Sequence, residues 1–65
     1  MGENRKLKGA RVEKGYSQDR LAEALGMPVV TYRTKENGIS VFTEVEIKKI
    51  CELLEKNVTD IFFNS

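Results

Sequence analysis

The stretch Ser17–Gly38, SQDRLAEALGMPVVTYRTKENG, decides the fold. Ser17 has the side chain of an N-cap, whose oxygen accepts a hydrogen bond from a first-turn N–H. Asp19 then places an anion where the helix dipole favours one. Leu21, Ala22 and Leu25 recur at the spacing of one buried face, and Gly26 ends the segment. A second helix is expected to begin at about Met27–Pro28, with proline in the first helical position, where its missing N–H costs nothing. Three β-branched residues in a row, Val29, Val30 and Thr31, make this second segment a poor helix in isolation, so tertiary contacts must hold it. Asn37–Gly38 is a strong stop. The stretch therefore reads as two short helices joined by a tight, glycine-containing turn. In the second helix Met27 and either Thr31 or Tyr32 point inward, with Lys35 near the end. Val29, Val30, Arg33 and Thr34 take the outer positions.

Working outward, the preceding residues predict a helix from about Asn4 to Lys14, capped by Asn4 and closed by Gly15. Gly9 costs this helix about 1 kcal/mol relative to alanine. With Ala10 it either permits close approach of a neighbouring helix or is simply tolerated. After Gly38, residues Ile39 to Phe42 form a short loop. Thr43-Glu44-Val45-Glu46 is a capping box that opens a fourth helix. Ile47, Ile50, Cys51 and Leu54 follow at the spacing of one buried face, with Cys51 read as a small core residue. Asn57 can cap a last short helix carrying Val58, Ile61 and Phe62. No segment sustains period-2 alternation, so the expected fold is all-α, five short helices in one domain spanning residues 1–65.

The chain has 65 residues, a length at which a hydrophobic core is marginal without a disulfide, a metal, very regular packing or a partner subunit. One cysteine and no histidine exclude an internal disulfide and a zinc site of the Cys/His type. The absence of histidine also removes the usual base near neutral pH, and no glycine-rich phosphate loop or clustered acid pair is present, so an enzyme is not expected. No apolar run approaches the roughly 20 residues of a membrane span. Met1 to Lys8 is polar and charged and carries no secretory signal, so a cytoplasmic location is expected. The net charge is +1, but it is unevenly spread. Residues 1–35 carry eight basic side chains against four acidic, and residues 36–65 carry three against six. Such asymmetry can orient a protein on a polyanion.

The Ser17–Gly38 stretch resembles the Cro and phage-repressor, or XRE, family of helix-turn-helix domains. The family pattern is matched by Ser17, Gln18, Leu21, Ala22, Leu25 and Gly26, and later by Glu36, Asn37 and Gly38. Lys14-Gly15 before the motif and Asp60-Ile61-Phe62-Phe63 at the end agree with it. The segment from Thr31-Tyr32 to Phe42-Thr43 is similar to a short-chain branch in phages and mobile elements. The resemblance covers about residues 4–63 and implies a lambda-repressor-like domain with its helix-turn-helix at about 17–37. It implies that Ser17 and Gln18, at the start of helix 2, sit where the family meets a phosphate. Pro28, Val29, Val30, Arg33 and Thr34 match positions facing base edges, and Asn37 matches a backbone-contacting position. Arg11 and Glu36 match a pair that forms an internal salt bridge. The chain departs from the family at Pro28, where a capping hydroxyl is common, so the start of helix 3 can shift by one residue. It departs also at Val29 and Val30, which cannot make bidentate hydrogen bonds but can pack on thymine methyl groups.

Each residue carries a blander reading. Arg33 either grips guanine or contacts phosphate. Thr34 and Thr31 either face DNA or are merely solvated or packed. At least one of Val29 and Val30 must face outward, since adjacent helical residues cannot both point in. Tyr32 is expected in the core, where its hydroxyl needs a partner. Lys35 is expected to touch phosphate while its stem covers core. The expected function is sequence-specific binding of duplex DNA as a homodimer on an inverted repeat, repressing transcription. Val41, Phe42, Phe62 and Phe63 are the candidate dimer contacts. No cofactor, small-molecule ligand or membrane partner is expected. The rival is a protein-interaction adaptor, such as an antirepressor or antitoxin subunit on the same fold, and a third reading is a restriction-modification controller.

Overall fold

Four helices end in the same backbone closure, and three of the four carry glycine there. In the computed structural model, which describes residues 3–62, these helices are α1 (Arg5–Glu13), α2 (Gln18–Leu25), α3 (Val29–Glu36) and α4 (Glu44–Leu54). After α2, Gly26 N–H reaches Glu23 C=O and Met27 N–H reaches Ala22 C=O, both at 3.0 Å. This is the Schellman arrangement, which needs a left-handed residue at its centre. Gly15, Gly26 and Gly38 supply it at φ 84°, 73° and 84°, and Glu55 supplies it after α4 at φ 57°. A short α5 (Val58–Ile61) follows, so the described residues form five helices and no strand.

The helix starts follow the sequence closely. The Asn4 side chain accepts from Leu7 N–H at 3.0 Å and Ser17 from Arg20 N–H at 3.1 Å. Thr43 and Glu46 complete their capping box, with Glu46 N–H on Thr43 Oγ1 and Thr43 N–H on Glu46 Oε1. Before α5, Asn57 N–H donates to Asp60 at 3.2 Å. One start differs from expectation. Pro28 is not the first helical residue but the N-cap, with ψ 146°, and α3 begins at Val29. Its carbonyl accepts the first helical bond, from Tyr32 N–H at 3.1 Å, while its side chain offers no cap.

Leu7, Leu21, Tyr32, Ile50 and Leu54 are fully buried, joined by Ala10, Ala22, Leu25 and Ile61. Met27, Val29, Phe42, Cys51 and Phe62 pack around them half-buried. Helix α3 lies on α2, while α5 packs on α1 and α4. The Gly9 position faces open space, so this glycine is tolerated and mediates no close helix contact. No helix among the described residues is long and apolar enough to cross a membrane.

Among the described residues, Glu55 is the one non-glycine doing a glycine's work at a helix end. Its left-handed backbone crowds the β-carbon, and its ion pair with Lys14 at 2.7 Å is exposed, so it offsets little of that strain. Glu55→Gly is expected to raise the thermal midpoint by about 2–5 °C, read by circular dichroism. An unchanged or lower midpoint would show that the Lys14 contact outweighs the backbone.

Candidate nucleic-acid interface

Helix α3 is held by what its inward face does. Val29, Tyr32 and Glu36 recur at i, i+3 and i+7, which places them on one side. Val29 packs on the core, Tyr32 is fully buried, and Glu36 is 2 % exposed. A carboxylate this deep must be well partnered, and Glu36 gathers donors from three helices. Arg11 Nε of α1 donates to Oε2 at 3.0 Å, Gln18 Nε2 of α2 to Oε1 at 2.7 Å, and the Tyr32 hydroxyl of α3 to Oε2 at 2.9 Å. Arg11 also donates through Nη1 to Tyr16 C=O at 2.8 Å, so neither member of the ion pair is stranded. The Glu36 backbone carbonyl accepts from Asn4 N–H at 2.8 Å, tying the end of α3 to the start of α1. Burial, with the charge of Glu36, pushes the Tyr32 hydroxyl well above the ordinary tyrosine value and keeps it a neutral donor.

The far end of α3 is clamped to α4. Lys35 Nζ lies 2.7 Å from Glu46 Oε1 and 5.9 Å from the centre of the Phe42 ring. Burial acts to raise the Glu46 pKa, but the hydrogen bonds and charge of Lys35 and the N–H of Thr43 outweigh it, leaving the carboxyl below its usual range. Phe42 sits between Tyr32 and Phe62, with ring centres 5.9 and 5.7 Å away. Lys35, expected at phosphate, thus has its ammonium engaged within the protein.

The outward face of α3 carries Val30, Arg33, Thr34 and Asn37, beyond an exposed Pro28. Val30 is 65 % exposed, which settles which of the two valines faces out. Thr31 and Thr34 are half-buried. The Thr34 hydroxyl donates to Thr31 C=O at 2.8 Å and lies 3.4 Å from Ser40 Oγ. Arg33 is exposed, and its Nε donates to Gln18 Oε1 at 3.1 Å. Gln18 thus bridges Glu36 and Arg33. Lys8, Arg11, Ser17, Gln18, Asp19 and Arg33 line a shallow concavity at the start of α2. A helix N-terminus with basic neighbours suits an anion.

Of the residues singled out as dimer contacts, Val41 is 84 % exposed, whereas Phe42 and Phe62 are half-buried and largely serve the core. Phe63 lies outside the described residues. Ile39 and Val45, 77 % and 68 % exposed, are further exposed apolar side chains close to Val41 in the sequence and were missed by sequence reasoning. Their signal was the isolation of Ile39 in a polar turn and of Val45 beside, rather than on, the buried stripe of α4. The Gln18–Arg33 and Lys35–Glu46 links were missed too, because each joins separate elements.

A search among curated proteins finds no match. Among solved structures, the restriction-modification controller protein C.AhdI from Aeromonas hydrophila superposes with a TM-score of 0.79 at 27 % identity, over 91 % of this chain and 89 % of that one. The helix-turn-helix family model matches residues 7–61, a span that takes in every helix from within α1 to the end of α5. With α2 and α3 arranged as described, the chain belongs to the XRE-type helix-turn-helix family of DNA-binding regulators.

Proposed function

We propose that the protein binds duplex DNA sequence-specifically as a homodimer on an inverted repeat and represses transcription by excluding polymerase. The observation that carries this reading is the division of labour on α3. Tyr32, Glu36 and Lys35 fasten the helix to α1, α2 and α4 from within, while Val30, Arg33, Thr34 and Asn37 stand on the opposite, outward face, tied back there by the exposed Arg33–Gln18 bond. A helix so held can enter the major groove with its side chains on base edges. Ser17, Gln18, Arg33 and Asn37 are the phosphate or flanking contacts in this reading, with Pro28, Val30, Thr31 and Thr34 nearest the bases; Val29, expected at a base edge, packs on the core instead. Lys35 contributes positive potential more than a direct contact. The exposed apolar set of Ile39, Val41 and Val45, with Phe42 behind it, is the proposed dimer face. It would set two copies of α3 about 34 Å apart, one turn of the duplex.

The likeness to a restriction-modification controller supports a second reading, in which the regulated genes belong to such a system. Mechanism at the DNA is the same, and the promoter containing the site separates the two. The test is selection of bound sites from a random duplex library at about 0.1–0.15 M salt, where weak electrostatic binding is suppressed. An enriched inverted repeat is the expected result. Folded protein that enriches nothing would sink the reading in favour of a protein-interaction adaptor.

A further inference from the structure

The centre of the outward face of α3 has few hydrogen-bonding groups to spend on bases. We infer that it reads thymine through its 5-methyl group, using the side chain of Val30 and the γ-methyl of Thr34. The inference rests on the proposed DNA-binding reading and names what that reading recognises. Val30 is 65 % exposed and has no polar atom in its side chain. Thr34 lies four residues on, hence on the same face about one turn away. Its hydroxyl is already committed, donating to Thr31 C=O at 2.8 Å with Ser40 Oγ at 3.4 Å. A hydroxyl turned back on its own helix leaves the methyl as the group to present outward. Arg33, the strongest donor nearby, is drawn toward the start of α2. Its Nε is held by Gln18 Oε1, and the Gln18 amide nitrogen donates to Glu36 Oε1. Flipping the amide would lose both bonds, so Arg33 stays beside Lys8 and Ser17.

The four bases differ in the major groove, and thymine alone presents a methyl group there. An apolar centre flanked by polar side chains matches that pattern. Val30 and Thr34 stand about 6 Å apart along the helix, under two base-pair steps, so the thymines they meet fall on adjacent or next-adjacent pairs.

The experiment replaces each thymine of the selected half-site with deoxyuridine, one at a time, and measures affinity by fluorescence anisotropy with the whole chain. One or two positions are expected to lose about fourfold in affinity, the worth of one buried methyl. Val30→Ala and Thr34→Ser, the latter keeping the hydroxyl, are each expected to remove the sensitivity at one of those positions. A specifically bound site indifferent to every uridine overturns methyl reading while leaving DNA recognition standing. Sensitivity that persists in both variants overturns the assignment to these residues. Failure to select any site overturns both the inference and the reading beneath it.

Discussion

Val30→Glu is expected to weaken specific DNA binding by at least about a hundredfold while leaving the fold as stable as before. Val30 contributes little to the core, being 65 % exposed on the outward face of α3. Glutamate is a better helix former than valine, and in the first turn of α3 it complements the helix dipole. Thermal stability should therefore hold or rise slightly. At the proposed interface the outcome is opposite. A carboxylate set among base edges and phosphates meets like charge, and such a juxtaposition costs several kcal/mol. A hundredfold loss corresponds to about 2.7 kcal/mol, within that range. Anisotropy titration on the selected operator, beside a thermal melt, checks both halves. Unchanged binding would place α3 outside the interface.

Glu36→Ala should lower stability by about 3–5 kcal/mol, the usual cost of breaking a buried ion pair from one side. Arg11, at 7 % side-chain exposure, would lose its carboxylate partner and keep the Tyr16 carbonyl, and Gln18 Nε2 and the Tyr32 hydroxyl would lose their acceptor. A domain of this size has about 3–10 kcal/mol in total, so the variant should lose from about a third of its stability to all of it. Replacing Arg11 and Glu36 together with apolar residues of similar volume should recover much of the loss, because no charge is then stranded. Urea denaturation at neutral pH reads both variants. A loss under about 1 kcal/mol for Glu36→Ala would mean that water reaches Arg11 and that the network is peripheral to folding.

Most helix ends were legible because they are written in single residues. Asn4, Ser17, Thr43 and Asn57 open helices, and Gly15, Gly26 and Gly38 close them. The end of α4 was not marked, since Glu55 takes the left-handed conformation without being glycine. Pro28 was misplaced by one residue because its fixed φ suits a cap and a first helical position equally, and only ψ distinguishes them. On α3, spacing alone separates Val29 from Val30 but does not say which turns inward. That is decided by Tyr32, three residues after Val29, once Tyr32 is anchored on Glu36. The Arg11–Glu36 pair was reached only through family resemblance and stands at 3.0 Å in the structure. The Gln18–Arg33 and Lys35–Glu46 links span 15 and 11 residues and depend on how three elements meet, which no local pattern encodes.

The anchoring of α3 by Tyr32, Lys35 and Glu36 also bears on how such a protein can change over generations. The residues that keep the helix in place are not those that face outward, so substitutions at 30, 33, 34 and 37 spend little stability. If α3 reads DNA as proposed, drift among new target sites is then open to single mutations, each tolerated by the scaffold before it is selected. A lineage can acquire a different target while inheriting the same body.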